Sequence, residues 1–244
     1  MTAPETARAK LTLSLRITGV RDDGYHLIDA EMVTLALADT LSIAPADRTT
    51  LTVGGAYADG VPTDERNLVV RALRAVGRSA AVRLDKRIPH GGGLGGGSAD
   101  AAAILRWAGQ LDPAIAAGLG ADVPFCVVGG RARVRGIGEV LDPLPSERRE
   151  LTLVIPRVHV STPAVFRAWD ELGGPHDDVT ENDLTAAAIH VVPELARWRD
   201  RIAEATGRTA RLAGSGATWF VEGHQAGLDA ALAPAQIVTT TTEW

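Results

Sequence analysis

A run of glycines between residues 90 and 100 constrains the fold more than any other feature of the sequence. Six of the eleven residues from His90 to Asp100 are glycine. A tight turn needs one or two glycines, whereas this run frees the backbone N–H groups to converge on an anion without interference from Cβ atoms. It follows a predicted strand, Ala80–Leu84, and precedes a predicted helix from about Ala99 to Trp107. Strand, glycine loop and helix N-terminus together predict a phosphate-binding cradle.

Two familiar phosphate-binding loops do not match this run. A P-loop requires a lysine before its final serine or threonine, and Gly96-Gly97-Ser98 has none. A dinucleotide-binding pattern G-x-G-x-x-G starts at Gly91, but it needs an acidic residue that ends a second parallel strand about 20 positions further on. The residue at that distance, Asp112, precedes a proline in a helix-start context. A third kind of cradle is therefore indicated.

The composition excludes several classes of partner. The chain has 244 residues, 45% of them hydrophobic, and a net charge of −5, so it offers no global attraction for nucleic acid or for an anionic membrane. It has no local basic patch, and no apolar stretch of about 20 residues that could span a bilayer. A single cysteine excludes an internal disulfide, and Met1–Glu5 lacks the pattern of a secretory signal. The sequence predicts a cytoplasmic protein, a monomer or a weak homodimer, with a small-molecule substrate.

Periodicity predicts strands and helices on either side of one boundary. Residues Lys10–Thr18 alternate strictly between apolar and polar, as in a half-buried strand, and a second extended run goes from Tyr25 toward Leu37. Further strands are predicted at Thr40–Ile43, Thr49–Val53, Val123–Val128 and Leu151–Ile155. Helices are predicted at Asn67–Val76, with Thr63 or Asp64 as cap, and from Pro113. Two more are predicted in the second half, one from Pro163 with Thr162 as cap and one over Glu181–Ala205 with a kink or break at Pro193. The end of the chain predicts strand, Gly-Ser-Gly loop, strand, helix and strand, and the segment from Pro143 to Glu150 is the candidate boundary.

Short motifs flank the glycine run along most of the chain. The run itself fits the pattern Pro-x-x-x-Gly-Leu-Gly-Gly-Gly-Ser-x-Asp-Ala-Ala from Pro89 to Ala102. The other motifs, in chain order, are Ala9–Leu13, Asp23–His26, Asp85–Pro89, Leu119–Phe125, Val160–Phe166 and Arg211–Thr218. Together they resemble the GHMP family of small-molecule kinases, and Asp-Gly-Tyr-His combined with Gly-Ala-Asp-Val-Pro is the specific part of the match.

The resemblance implies an α+β fold of two lobes. The GHMP kinase fold combines an N-terminal ribosomal-protein-like α/β lobe with a C-terminal ferredoxin-like α+β lobe. We expect an ATP-binding domain over residues 1–145 and a C-terminal domain over 146–244. The implied reaction is transfer of phosphate from ATP, with Mg²⁺, to the 2-hydroxyl of a cytidine-diphosphate-linked methylerythritol, a step of non-mevalonate isoprenoid synthesis.

Two residues are the candidates for catalysis. Asp122 has apolar neighbours, so its carboxylate is expected to be partly desolvated or paired and therefore a better proton acceptor. Lys10 is one of only two lysines beside 23 arginines, and it lies on the polar face of the first strand. Its ammonium could pair with Asp122 and stabilise charge on the transferred phosphoryl group, which is the role that the resemblance implies.

The remaining candidates would bind ligands. The residues expected at the ATP phosphates are Gly91, Gly92, Gly93, Leu94, Gly95, Gly96, Gly97 and Ser98, with Ser98 near the magnesium. By resemblance, Asn67 and Lys86 flank the adenine. The residues expected at the acceptor are Thr12, Tyr25, His26, Phe166, Gly214, Ser215 and Gly216, with Tyr25, His26 and Phe166 around the cytosine. Simpler hypotheses are core packing for Phe166 and solvated surface positions for Asn67 and Lys86.

Two positions depart from the family's usual pattern. Thr12 stands where asparagine is usual, and Ala99 where a second serine is usual. The chain is also shorter than typical members. These differences leave two alternatives open: a kinase for another polyol or sugar phosphate, or a nucleotide-binding paralogue without catalysis. A nicotinamide-dependent dehydrogenase is a more distant alternative.

Overall fold

The computed structural model describes residues 4–89 and 91–243. His90, which opens the glycine run, lies outside the described residues, as do residues 1–3 of the N-terminal segment. Within the described ranges, no helix is long and apolar enough to cross a membrane.

Two long antiparallel strands form the base of the fold. Strand β1 (Glu5–Val20) pairs with β2 (His26–Pro45) almost from end to end, with Lys10 opposite Thr34. The predicted alternation is confirmed on the apolar face, where the leucines of β1 are buried. The predicted strand at Thr40–Ile43 is the far end of β2 rather than a separate element.

Short strands extend this sheet along the edge of β2 that faces away from β1. Strand β3 (Thr50–Gly54) runs parallel to β4 (Ala80–Asp85), which is antiparallel to β2. Beyond the helices of the first half, β5 (Arg131–Gly136) also pairs with β2 and then with β6 (Val140–Pro143). Neither strand was predicted from the sequence: in β5 arginines alternate with the buried Ala132 and Val134, and β6 is only four residues long and ends in proline.

Four helices cover one face of this sheet: α1 (Leu68–Ala75), α2 (Gly96–Trp107), α3 (Pro113–Leu119) and α4 (Val123–Val128). The prediction of a strand over Val123–Val128 is wrong. Pro124 occupies the first turn of a helix, where its missing N–H costs nothing, and Gly129 ends the helix with φ 71°. Three consecutive residues, 123–125, are buried there, which a strand with alternating faces would not produce.

The second half is a smaller antiparallel sheet with helices. Its elements are β7 (Glu150–Ile155), α5 (Thr162–Glu171), α6 (Thr185–Val191), α7 (Glu194–Thr206), β8 (Arg211–Leu212), β9 (Trp219–Glu222), α8 (Leu228–Ala231) and β10 (Gln236–Glu243). The predicted break at Pro193 is confirmed because it separates α6 from α7. Helix α6 starts only at Thr185, so the expected helix over Glu181–Ala205 begins four residues too early.

Strand β10 joins the two halves. It pairs along most of its length with β7, and its last residues, Thr242 and Glu243, pair with Leu35 and Thr34 of β2. A core cluster that contains residues of β1 and β2 continues into Leu153 and Phe220 of the second sheet. The α+β architecture agrees with the expectation, whereas a division at residue 145/146 stays a prediction.

Helix α4 provides a test of this packing. Phe125 is completely buried, so Phe125→Ala should lower the free energy of unfolding by about 3–5 kcal/mol. Val128 in the same helix is 62% exposed, and Val128→Ala should change that free energy by less than about 0.5 kcal/mol. Denaturant unfolding of both variants checks the assignment, and equal effects would contradict it.

Candidate active site

A cleft of about 670 Å³ lies where the first strands, the glycine loop, α5 and the loop after β8 meet. The predicted site residues that line it are Lys10, Thr12, Tyr25, His26, Gly93, Ser98, Asp122, Phe166 and Ser215. Thus the structure brings residues from six separated motifs to one cavity. Arg167 and Asp170 of α5 also line it and were not singled out in the sequence.

Lys10 and Asp122 form an ion pair in this cleft. Lys10 Nζ lies 3.2 Å from Asp122 Oδ2, and the side chains are 7% and 31% exposed respectively. Although Asp122 stands just before α4, its carboxylate makes no capping hydrogen bond to the helix. It is therefore available to the cleft, with the ammonium as its neighbour. Lys10 Nζ also lies 3.4 Å from Thr12 Oγ1, so the residue that replaces the usual asparagine still contacts Lys10.

The glycine loop takes the shape that a phosphate cradle requires. Gly91, Gly93 and Gly95 have φ values of 78°, 75° and 68°, a left-handed conformation that residues with a side chain rarely adopt. Alternation of left-handed and ordinary residues turns successive N–H groups inward, which makes an anion-binding concavity. Helix α2 begins immediately afterwards, at Gly96, and has no acidic residue in its first turn. An anion is therefore favoured at this helix N-terminus.

Close packing behind the loop explains why side chains are absent from it. A Cβ on Gly95 would lie 2.7 Å from Lys10 Cγ, and one on Gly93 would lie 2.8 Å from the carbonyl oxygen of Gly216. Leu94 is the exception in the run: its side chain is buried in the core, and its carbonyl accepts the Lys10 N–H at 3.0 Å. The loop is thus held directly against the strand that carries Lys10.

Asn67 and Lys86, expected beside the adenine, are both largely buried. Asn67 is the N-cap of α1, the position that the sequence assigned to Thr63 or Asp64: its Oδ1 accepts the Val69 N–H at 2.9 Å. Its Nδ2 donates to the carbonyl of Pro62. Lys86 is 3% exposed. Contact of either side chain with adenine stays a prediction.

The ammonium of Lys86 lies in a buried charge cluster that sequence reasoning missed. It donates to Asp39 of β2 and, at 2.8 Å, to Asp100 Oδ2 of α2. Asp39 also accepts the backbone N–H groups of Arg87 and Ile88. Strand β2, the segment after β4 and helix α2 are thereby joined beneath the glycine loop. The Asp100 of the family pattern was the available signal for this cluster.

Burial and charge shift the pKa values in this cluster. Burial alone would lower the pKa of Lys86, but attraction by Asp100 and Asp39 raises it above its usual value. Burial also raises the pKa of Asp100 to about 7, against the attraction of Lys86 and with the charge of Asp39 adding to the rise. Asp100 Oδ1 has no hydrogen-bond partner among the described residues. Two carboxylates therefore share one ammonium, and the negative charge of Asp100 is the less well stabilised of the two.

An aromatic group forms the opposite end of the cleft. The His26 ring packs 4.8 Å from Phe166 and edge-on to Trp169 at 5.7 Å, measured between ring centroids. His26 Nε2 lies 2.8 Å from Asp170 Oδ1, so the carboxylate fixes the orientation of the imidazole. Tyr25 is 60% exposed at the rim. A planar ring could enter between Tyr25 and Phe166, which together with His26 form the aromatic rim of the cleft.

The loop after β8 closes the third side of the cleft. Ser215 Oγ forms a hydrogen bond of 2.8 Å with Thr162 Oγ1 at the start of α5. This contact replaces the capping role that the sequence predicted for Thr162, since Ser161 is the N-cap of α5. Gly214 lies against Thr12, where an added Cβ would be 3.6 Å from the Thr12 hydroxyl. The loop thus approaches β1 and α5 together.

A glycine loop of this shape beside a lysine–aspartate pair in one cleft is typical of a kinase for small molecules. The sequence matches the GHMP kinases N terminal domain over residues 67–130. The 4-diphosphocytidyl-2-C-methyl-D-erythritol kinase of Jannaschia sp. (strain CCS1) is 43% identical over 93% of this chain and 91% of that protein. The chain belongs to the GHMP kinases and, within them, to the family of 4-diphosphocytidyl-2-C-methyl-D-erythritol kinases.

Other comparisons agree. The relative of that name in Paracoccus denitrificans (strain Pd 1222) is 41% identical over 95% of this chain and 89% of its own. A crystal structure of 4-(cytidine 5'-diphospho)-2C-methyl-D-erythritol kinase superposes with a TM-score of 0.78 at 32% identity, covering 98% of this chain and 99% of that one. The mevalonate kinase of Methanococcus jannaschii, at 13% identity and a TM-score of 0.64, covers 100% of this chain and 99% of its own and shares the fold.

The buried cluster predicts a pH dependence of stability. Because the pKa of Asp100 is raised to about 7, the folded state holds more protons than the unfolded state between about pH 4 and 7. The contribution of this group to stability therefore falls as the pH rises through that window. Asp100→Asn removes this titration, so the Tm of the variant minus that of the wild type should increase from pH 5 to pH 7.5. Thermal unfolding measures it, and a difference independent of pH would show that Asp100 stays ionised.

Proposed function

We propose that the protein transfers the γ-phosphoryl group of ATP to the 2-hydroxyl of 4-diphosphocytidyl-2-C-methyl-D-erythritol, a step of non-mevalonate isoprenoid biosynthesis. The observation that carries the proposal is the Lys10–Asp122 pair, which lies between a phosphate cradle and an aromatic rim in one cleft. The relatives that carry this name match the chain over about nine-tenths of their length, so the shortening relative to them is modest. We place the reaction in the cytoplasm and expect a monomer or weak homodimer.

Phosphoryl transfer requires little from the protein beyond positioning and neutralisation of charge. The N–H groups of Gly91–Gly97 and the start of α2 would hold the phosphates of ATP, and Asn67 and Lys86 would lie toward the adenine. Asp122 would accept the proton of the acceptor hydroxyl while the oxygen of that hydroxyl attacks the γ-phosphorus. The bond from that phosphorus to the bridging oxygen breaks, and ADP leaves. The ammonium of Lys10, 3.2 Å from Asp122, would stabilise charge on the transferred group.

A magnesium ion fits this site as a companion of the phosphates. No cluster of three or more metal-ligating side chains occurs among the residues 4–89 and 91–243, and Mg²⁺ commonly binds through substrate phosphates with one or two protein oxygens. The cleft offers the Ser98 hydroxyl beside the glycine loop as the protein oxygen that would contact the ion. When bound, the ion would neutralise charge on the β- and γ-phosphates.

The aromatic rim would select the acceptor by its base. The Asp170 carboxylate can only accept, so His26 Nε2–H donates to it, and an imidazole in that tautomer would present Nδ1 as an acceptor. The exocyclic amine of cytosine is a matching donor. Phe166 and Tyr25 could contact the two faces of the base, and Thr12, Gly214, Ser215 and Gly216 would hold the rest of the acceptor. A polyol without a base would leave this end of the cleft empty.

Loss of the proposed base tests the chemistry. Asp122→Asn should lower kcat by roughly 10²- to 10⁴-fold, since the amide cannot accept the proton. ADP release with ATP, magnesium and the cytidine-diphosphate acceptor measures this. The matched control is Asp112→Asn, because Asp112 caps α3 outside the cleft and asparagine preserves that cap. If the wild type phosphorylated only other polyols or sugar phosphates, the kinase mechanism would stand and the proposed acceptor would be wrong.

Loss of the histidine's partner tests the recognition of the base. Asp170→Asn should lower kcat/KM for the acceptor about tenfold, mainly through a higher KM, and leave the KM for ATP unchanged, because the amide no longer fixes the imidazole tautomer. Its neighbour Glu171, which is exposed, provides the control Glu171→Gln. Steady-state kinetics with each substrate varied in turn decides this. An equal change in both KM values would contradict a role at the base.

A further inference from the structure

The side chain of Asn182 is buried and holds the loop after β8 from behind. It is 1% exposed and lies between β1 and the second sheet, outside the cleft lining. Its Nδ2 donates to the carbonyl oxygens of Leu212 and Gly214, both at 2.8 Å. Its Oδ1 accepts the Leu184 N–H at 3.0 Å. The two carbonyls require donors and the N–H requires an acceptor, so the orientation of the amide is determined.

The backbone around Asn182 is fixed to β1 at the same time. The Leu15 N–H donates to the Glu181 carbonyl at 2.8 Å, and the Asp183 N–H donates to the Leu15 carbonyl at 2.9 Å. The buried Asp183 carboxylate accepts the Ile17 N–H at 2.9 Å. Glu181 has φ 55°, and it is the only residue other than glycine with a positive φ among the described residues. The segment is therefore shaped specifically to bind β1 on one side.

Asn182 consequently joins two parts of the cleft that are far apart in sequence. On one side is β1, which carries Lys10 and Thr12. On the other is the loop that begins at Gly214, reaches Thr162 through Ser215, and meets Gly93 through Gly216. The amide fixes the start of this loop at Gly214, two residues before the contact with the glycine loop. A displacement at Gly214 would move Ser215 relative to the Lys10–Asp122 pair.

We propose that Asn182 is a positioning residue for the phosphoryl acceptor, which acts by fixing Gly214–Gly216 against the strand that carries Lys10. The inference rests on the proposed function, because it assigns this loop to the acceptor. Only a side chain with two donors and one acceptor at this length satisfies all three partners. Aspartate has the same shape but directs a carboxylate oxygen at two carbonyls, so Asn182→Asp should displace the loop without leaving a cavity.

Kinetics of Asn182→Asp and of the milder Asn182→Ser test the role. Misplacement of a reacting group by about 1 Å can lower a rate by roughly 100-fold, so we expect a loss of that order in kcat/KM for the acceptor with Asn182→Asp. The KM for ATP should change much less, and Asn182→Ser, which keeps one donor, should lose less. The control is Val82→Ala in β4, which destabilises a core cluster that contains no residue of this loop. It should lower the Tm and leave both KM values unchanged.

Hydrogen–deuterium exchange separates this inference from the proposed function. The amides of residues 213–217 should exchange faster in Asn182→Asp than in wild type, and not in Val82→Ala at a temperature where both variants are folded. This readout needs no substrate. If wild type fails to phosphorylate the cytidine-diphosphate acceptor, the proposed function fails, and exchange still decides whether Asn182 fixes the loop.

Three results would overturn the inference. One is unchanged exchange of residues 213–217 in Asn182→Asp. Another is a kinetic loss that matches that of Val82→Ala at an equal fall in Tm. The third is failure of both Asn182 variants to give folded protein, which would make the residue a determinant of the fold and not of acceptor position.

Discussion

The approach of other chain segments to the glycine loop is the constraint on which the site depends. The loop lies against the aliphatic part of Lys10, the Gly216 carbonyl and the Thr218 hydroxyl, at distances that leave no room for a Cβ. A phosphate cradle could be built from fewer glycines if it faced only solvent behind. Here its rear surface is also an interface between the two halves of the chain. The backbone of the glycine loop therefore fixes the position of the nucleotide side of the cleft relative to the acceptor side.

The two lysines show that the acidic partners of a buried ammonium determine whether it can still interact with a ligand. Both are largely removed from water, which is costly unless each ammonium has acidic partners. Lys86 has two buried carboxylates and serves to join β2 with α2. Lys10 has one partner, which is partly exposed to the cleft, and so retains capacity to interact with a ligand. Arginine instead occupies exposed positions of the first sheet, such as Arg8, Arg83 and Arg133.

Motifs allowed much of the site to be predicted from the sequence, because the chemistry of each is local. The structure brings Gly93 and Ser98 of the cradle to one cleft with Lys10, Asp122 and the aromatic rim, and the roles of these residues stay predictions. The strand expected at Val123–Val128 is a helix because the proline and the following glycine outweigh the β propensity of valine. The cluster of Asp39, Lys86 and Asp100, and the contacts of Asn182, depend on residues distant in sequence. No single-chain pattern reveals such pairings, although Asp100 lies within the glycine-loop motif.

The place of β10 in the sheet has a consequence for how the protein is made. This strand follows every other described strand in chain order, and it alone pairs with both β7 and β2. During synthesis on the ribosome, the hairpin of β1 and β2 can form early, since its partners are adjacent. Leu35 and Thr34 of β2, which lie between the stretches that pair with β4 and β5, stay without this partner while some two hundred further residues emerge. An exposed strand edge invites pairing with other chains, so these positions, and the edge of β7 that β10 covers, are open to such pairing until β10 emerges.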